Sequence, residues 1–114
     1  MWFVFPQLRG LGHSSMAQHY GLGGLEEAQA YLQHAVLGPR LIECTELVIR
    51  APGSIRDIFA SPDDLKFRSC MTLFAALPSA PPVFARALAH FFGDAADPLT
   101  LEALQRLAQP GSAE

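Results

Sequence analysis

The chain has 114 residues, half of them apolar and 17% charged, with a formal net charge of −3 when the histidines are neutral. That length suits one domain, burying roughly 65% of the unfolded chain's surface, and leaves no room for a second core. The composition excludes a disordered chain, and without a basic tail or a lysine cluster generic nucleic-acid binding has no footing.

Met1–Phe5 is an apolar run that stops at Pro6. It is too short for a membrane span, and it has no positive leader to make it a signal peptide. No other window is apolar for long enough, so a soluble cytoplasmic protein with no membrane partner is expected. Trp2, Phe3, Val4 and Phe5 form either a short strand or the last turn of a helix, and Pro6 ends the element. Aromatic side chains in such numbers need cover, either from the chain's own core, with Trp2 as an anchor, or from another molecule. The run reads like the middle of a domain.

Gly10 and Gly12 make a turn, and Ser14 and Ser15 cap a short helix, Ser15–Tyr20, that Gly21, Gly23 and Gly24 stop. A second helix is expected over Leu25–His34, with Leu25, Ala28, Tyr31 and Leu32 inward. Glu26 and Glu27 suit its positive end and His34 its negative end. Leu37-Gly38-Pro39 restarts the chain into a helix over Pro39–Ala51 that buries Leu41, Cys44, Leu47 and Val48. Pro52-Gly53 is a turn, and Ser54 caps a short helix, Ser54–Ala60, with Ile55, Ile58 and Phe59 inward.

The strongest helix signal is Ser61–Leu77. Ser61 is an N-cap, Pro62 fits the first helical position, and Asp63 and Asp64 match the macrodipole. Phe67, Cys70, Met71, Phe74 and Leu77 recur at helical spacing and put Phe67, Met71 and Phe74 at the centre of the core. After a loop at Pro78–Pro81, an amphipathic helix runs through Phe84, Leu88, Phe91 and Phe92 to Gly93. Asp97-Pro98 starts the last helix, with Leu101, Leu104 and Leu107 inward, and residues 109–114 read as a frayed tail. The reading is an all-α class, a single compact domain of six or seven short helices. Cys44 and Cys70 read as buried thiols.

WFVFPQLRGLG, AYLQHAVLGPRLIEC and SPDDLKFRSCMTLFAAL, in that order, resemble domain-of-unknown-function family 1810, small and mainly helical bacterial proteins. The resemblance covers nearly the whole chain. It implies an uncharacterised protein with no established activity, so it assigns no catalytic residue. Members generally carry a further helical segment upstream of the block that begins here at Trp2, which implies that this chain lacks the family's N-terminal part. Relatives usually have serine where this chain has Cys70, which speaks against Cys70 as a nucleophile.

Two constellations can carry chemistry. In Arg9-Gly10-Leu11-Gly12-His13-Ser14-Ser15, glycines next to a helix start can aim amides at an anion, with Arg9 and His13 adding charge. The bland alternative is a tight turn plus an N-cap. The spacing matches neither a dinucleotide fingerprint nor a P-loop. The second constellation is a polar seam on the Ser61–Leu77 helix: Asp64, Lys66 (the chain's one lysine), Arg68, Ser69 and Thr72. It can hold an anionic ligand, or it can be a solvated face with an Asp64–Arg68 pair.

The combined expectation is a small-molecule-binding domain, with or without enzymatic activity, for an anionic ligand such as a nucleotide or phosphorylated metabolite. Arg9, Lys66 and Arg68 would neutralise charge, Gly10, Gly12, Ser14 and Ser69 would supply hydrogen bonds, and His13 would be the candidate acid or base. The alternative is an interaction module that self-associates through Trp2, Phe3 and Phe5. His13, His19, His34, His90 and the two cysteines show no metal-ligand spacing, and no motif calls for a cofactor.

Overall fold

The computed structural model describes residues 5–6, 22, 24–59, 63–78, 80–93 and 95–107. The expected Ser15–Tyr20 helix, Trp2 and Phe3 lie outside them.

Among the described residues six helices follow one another: α1 Leu25–Gln33, α2 Leu37–Arg50, α3 Ile55–Ile58, α4 Asp63–Ala75, α5 Pro82–Phe92 and α6 Pro98–Leu107. Together they make a single all-α domain organised around α4, which packs against α1, α3, α5 and α6; α2 closes the other side by packing on α1 and α5. No helix among the described residues is long and apolar enough to cross a membrane.

Local chemistry explains most of the helix ends. His34 terminates α1, and its Nδ1 then accepts from the amides of Val36 and Leu37, both at 3.1 Å. Two of the unpaired donors at the start of α2 are thereby satisfied, so α2 begins at Leu37 rather than at the expected Pro39. Gly38 is essential to this junction, since a Cβ there would lie 1.8 Å from the Leu32 carbonyl oxygen. Gly53, at φ +99°, makes the turn into α3. There Ser54 and Asp57 form a capping box: Ser54 Oγ accepts from the Asp57 amide, and Asp57 Oδ2 accepts from the Ser54 amide at 2.8 Å. Gly93 ends α5 in the left-handed region and donates to the Leu88 carbonyl.

The core centres where the spacing of α4 put it. Phe67, Cys70, Met71, Leu73 and Phe74 are fully buried, joined by Phe84, Ala87 and Leu41. Phe74 lies 5.4 Å from Phe84 and 5.8 Å from Tyr31, centroid to centroid. Burial pushes the Tyr31 hydroxyl up from its ordinary value. Phe5 belongs to the same core. It is 5% exposed and meets Phe67 edge-on at 5.0 Å and Phe59 at 6.0 Å. Phe5 is therefore largely covered by its own chain.

Two inward-facing assignments are corrected. Leu47 is 52% exposed, because the buried stripe of α2 runs through Gly38, Leu41 and Thr45 instead. Thr45 can sit there at no cost in unpaired groups, since its hydroxyl donates to the Leu41 carbonyl at 2.8 Å. Leu101 is 47% exposed, while Thr100, Ala103 and Leu104 face inward. Hydrogen bonds at the start of α6, described next, set that rotation.

Candidate functional site

The expected seam on α4 divides into three parts. Arg68 donates from Nε to the Ala95 carbonyl at 2.9 Å and from Nη2 to the Ala96 carbonyl at 3.0 Å. Its guanidinium also lies 5.7 Å from the centre of the Phe92 ring. Ser69 Oγ donates to Asp97 Oδ2 at 3.1 Å, and the Asp97 amide donates to Thr72 Oγ1 at 2.8 Å. Thr72 Oγ1 in turn donates to the Arg68 carbonyl at 2.8 Å. Asp97 Oδ2 also accepts from the amide and the hydroxyl of Thr100, at 3.0 and 2.6 Å, so Asp97 is the N-cap of α6 as well as its tether to α4. This polar group latches the 95–97 segment to α4, and Ser69 and Thr72 are buried beneath it rather than solvated.

Asp64 does not pair with Arg68. Its side chain is 8% exposed, and Oδ2 lies 3.5 Å from Nε of Arg56 on α3, while Oδ1 has no hydrogen-bond partner. Two carbonyls already hold Arg68 on the α6 side of α4, so the i,i+4 contact gives way to the tertiary one. Lys66 is two positions from Arg68, about 200° around the helix. Lys66 Nζ stands 3.8 Å from Asp63 Oδ1, and both side chains are half-exposed. Arg9, Gly10, Gly12, His13 and Ser14 lie outside the described residues.

A cleft of about 460 Å3 opens elsewhere, on the side of the domain where α2, α3 and the start of α4 meet. Its walls are Cys44, Leu47 and Val48 from α2, Ile58 at the end of α3, Phe59, Phe5, and Asp63 at the first position of α4. The volume falls within the ~300–1,000 Å3 usual for small-molecule sites, and an apolar lining with few polar groups is their common make-up. The sequence does hold a trace of it. Cys44, Leu47 and Val48 add to Leu41 and give α2 more apolar surface than one packed stripe requires. Cys44 and Val48 do pack partly against the core, and reading Leu47 as inward along with them hid the cleft. Among the described residues no group of three or more histidine, cysteine, aspartate or glutamate side chains could hold a metal ion.

A single all-α domain is what these features define, and comparison with known proteins places it in a family. Residues 1–104 match the family model described as protein of unknown function (DUF1810). The chain belongs to that family. A solved structure described as the conserved hypothetical protein Rv1873 from Mycobacterium tuberculosis is 56% identical, with a TM-score of 0.88, and the match covers 91% of this chain and 75% of that one. A comparison with curated proteins returns no match.

Proposed function

We propose that this chain is a small-molecule-binding domain and that its ligand occupies the cleft between α2, α3 and the start of α4. The observation that carries the reading is the cleft itself: about 460 Å3, with side chains of Phe5, Leu47, Val48, Ile58 and Phe59 in its walls. Covering that apolar surface with a ligand would contribute about 25 cal/mol per Å2 before the costs of association. A nucleotide or phosphorylated metabolite held by Arg9, Lys66, Arg68 and Ser69 has less behind it. Arg68 and Ser69 direct their donors to the 95–97 segment, and the cation left among the described members of that set, Lys66, already faces Asp63.

The test is a fragment screen followed by methyl-detected NMR on the Leu47 and Val48 signals. Binders should shift both and should lose affinity at least tenfold in Leu47→Trp, a substitution at an exposed wall residue that narrows the cleft without touching the core. A screen whose hits leave those methyls unmoved, or survive the substitution, refutes the reading. Nucleotides and sugar phosphates belong in the same screen; a phosphate compound that binds away from Val48 would favour the other set.

A further inference from the structure

We infer that the cleft's ligand is an amphipathic organic cation, an ammonium group carried on an aromatic or alkyl body; this rests on the small-molecule reading above. The sign of charge in the cleft decides it. Asp63 brings a carboxylate into the wall, and no lysine, arginine or histidine lines the cleft among the described residues. Phe5 and Phe59 add two aromatic rings, their centroids 6.0 Å apart at 78°. The face of an aromatic ring is electron-rich and attracts an ammonium group, most strongly where water is excluded. The carboxylate, with partly exposed Phe59 in the same cleft, thus favours a positive head group, while Leu47, Val48 and Ile58 accept an apolar body.

Lys66 is the competitor to be displaced. Its Nζ is 3.8 Å from Asp63 Oδ1, beyond hydrogen-bond reach, on a half-exposed side chain. A ligand ammonium at a hydrogen-bonding distance from Asp63 would replace that loose pair without breaking a hydrogen bond, and Lys66 is free to swing into solvent. The positive end of α4 is already answered by two adjacent acids, Asp63 and Asp64. An anion in the same place would meet the Asp63 carboxylate.

Three near-isosteric probes separate the possibilities on the intact chain: 3-phenylpropylamine, 3-phenylpropanol and 3-phenylpropanoate, titrated by NMR. The amine should bind at least tenfold more tightly than the alcohol, and the carboxylate more weakly than either. Asp63→Asn should bring the amine down to the alcohol's affinity and leave the alcohol unchanged, whereas Lys66→Ala should tighten the amine. Equal affinity for amine and alcohol, or a preference for the carboxylate, with the Val48 methyls shifting in each case, overturns the cation inference and leaves the small-molecule reading standing. If no probe moves those methyls and the fragment screen is equally silent, both fail.

Discussion

Asp97 offers the sharpest test of how the helices are joined. One carboxylate oxygen accepts from Ser69 on α4 and from both the amide and the hydroxyl of Thr100 on α6. Asp97→Ala removes an N-cap, worth about 1 kcal/mol. It also leaves the hydroxyls of Ser69 and Thr100, which are 7% and 0% exposed, without their acceptor. A buried donor that loses its partner costs about 1–3 kcal/mol. Hydroxyls can rotate toward a carbonyl of their own helix, as Thr45 does, so the lower end applies and the total is about 2–4 kcal/mol. That is a large share of the ~5–15 kcal/mol holding a typical domain together. Urea unfolding followed by far-UV circular dichroism, with the midpoint shifting at unchanged slope, measures it. Ser69→Ala alone should cost about 1 kcal/mol, and the double variant should fall short of the sum by more than ~0.5 kcal/mol, because the two share one interaction. A loss below ~0.5 kcal/mol for Asp97→Ala, or strict additivity with Ser69→Ala, would refute the latch.

Further expectations concern single residues. Gly38→Ala places a methyl 1.8 Å from the Leu32 carbonyl oxygen, so α1 and α2 must separate; a loss above ~3 kcal/mol is expected, and a melting temperature within a degree or two of the wild type's would show that the junction gives way easily. Burial alone pushes the Cys70 thiol well above its ordinary value, while Cys44 is half-exposed in the cleft wall. A thiol reagent at pH 8 should therefore titrate one equivalent rapidly, mapped to Cys44 by mass spectrometry, and the second only on unfolding. Rapid labelling of Cys70 in the folded protein would contradict its burial. The hydrogen bonds from Ser54 lower the Asp57 carboxyl below its ordinary 3.8. With the folded value depressed, the stabilisation is fully present above that ordinary value and disappears as pH falls through the depressed one. Asp57→Asn should thus flatten the acid limb of the stability profile below about pH 4 and leave the neutral limb's shape alone. An unchanged acid limb would count against the capping box.

Helix boundaries were largely legible in the chain because they are made locally. Pro52-Gly53 before Ser54, Gly93 after Phe92 and Asp97 before Pro98 each act through residues no more than five apart, and each stands where it was expected. The His34–Leu37 junction was not legible. An imidazole that caps the following helix has the same sequence as one that ends the preceding helix by its charge. The polar seam fared similarly. Its residues were identified, but Ser69 and Thr72 look the same on paper whether they face water or Asp97, 28 and 25 positions away.

By itself, then, the sequence determined an all-α chain, the centrality of α4 and the identity of its core residues, because apolar spacing and caps are properties of one helix at a time. The tertiary structure decided which faces are covered. It turned Leu47 and Leu101 outward, buried the seam and placed Asp63 beside Phe5 and Phe59 in a cleft. Periodicity reports how much apolar surface a helix carries, but only its neighbours determine which part of that surface they leave open.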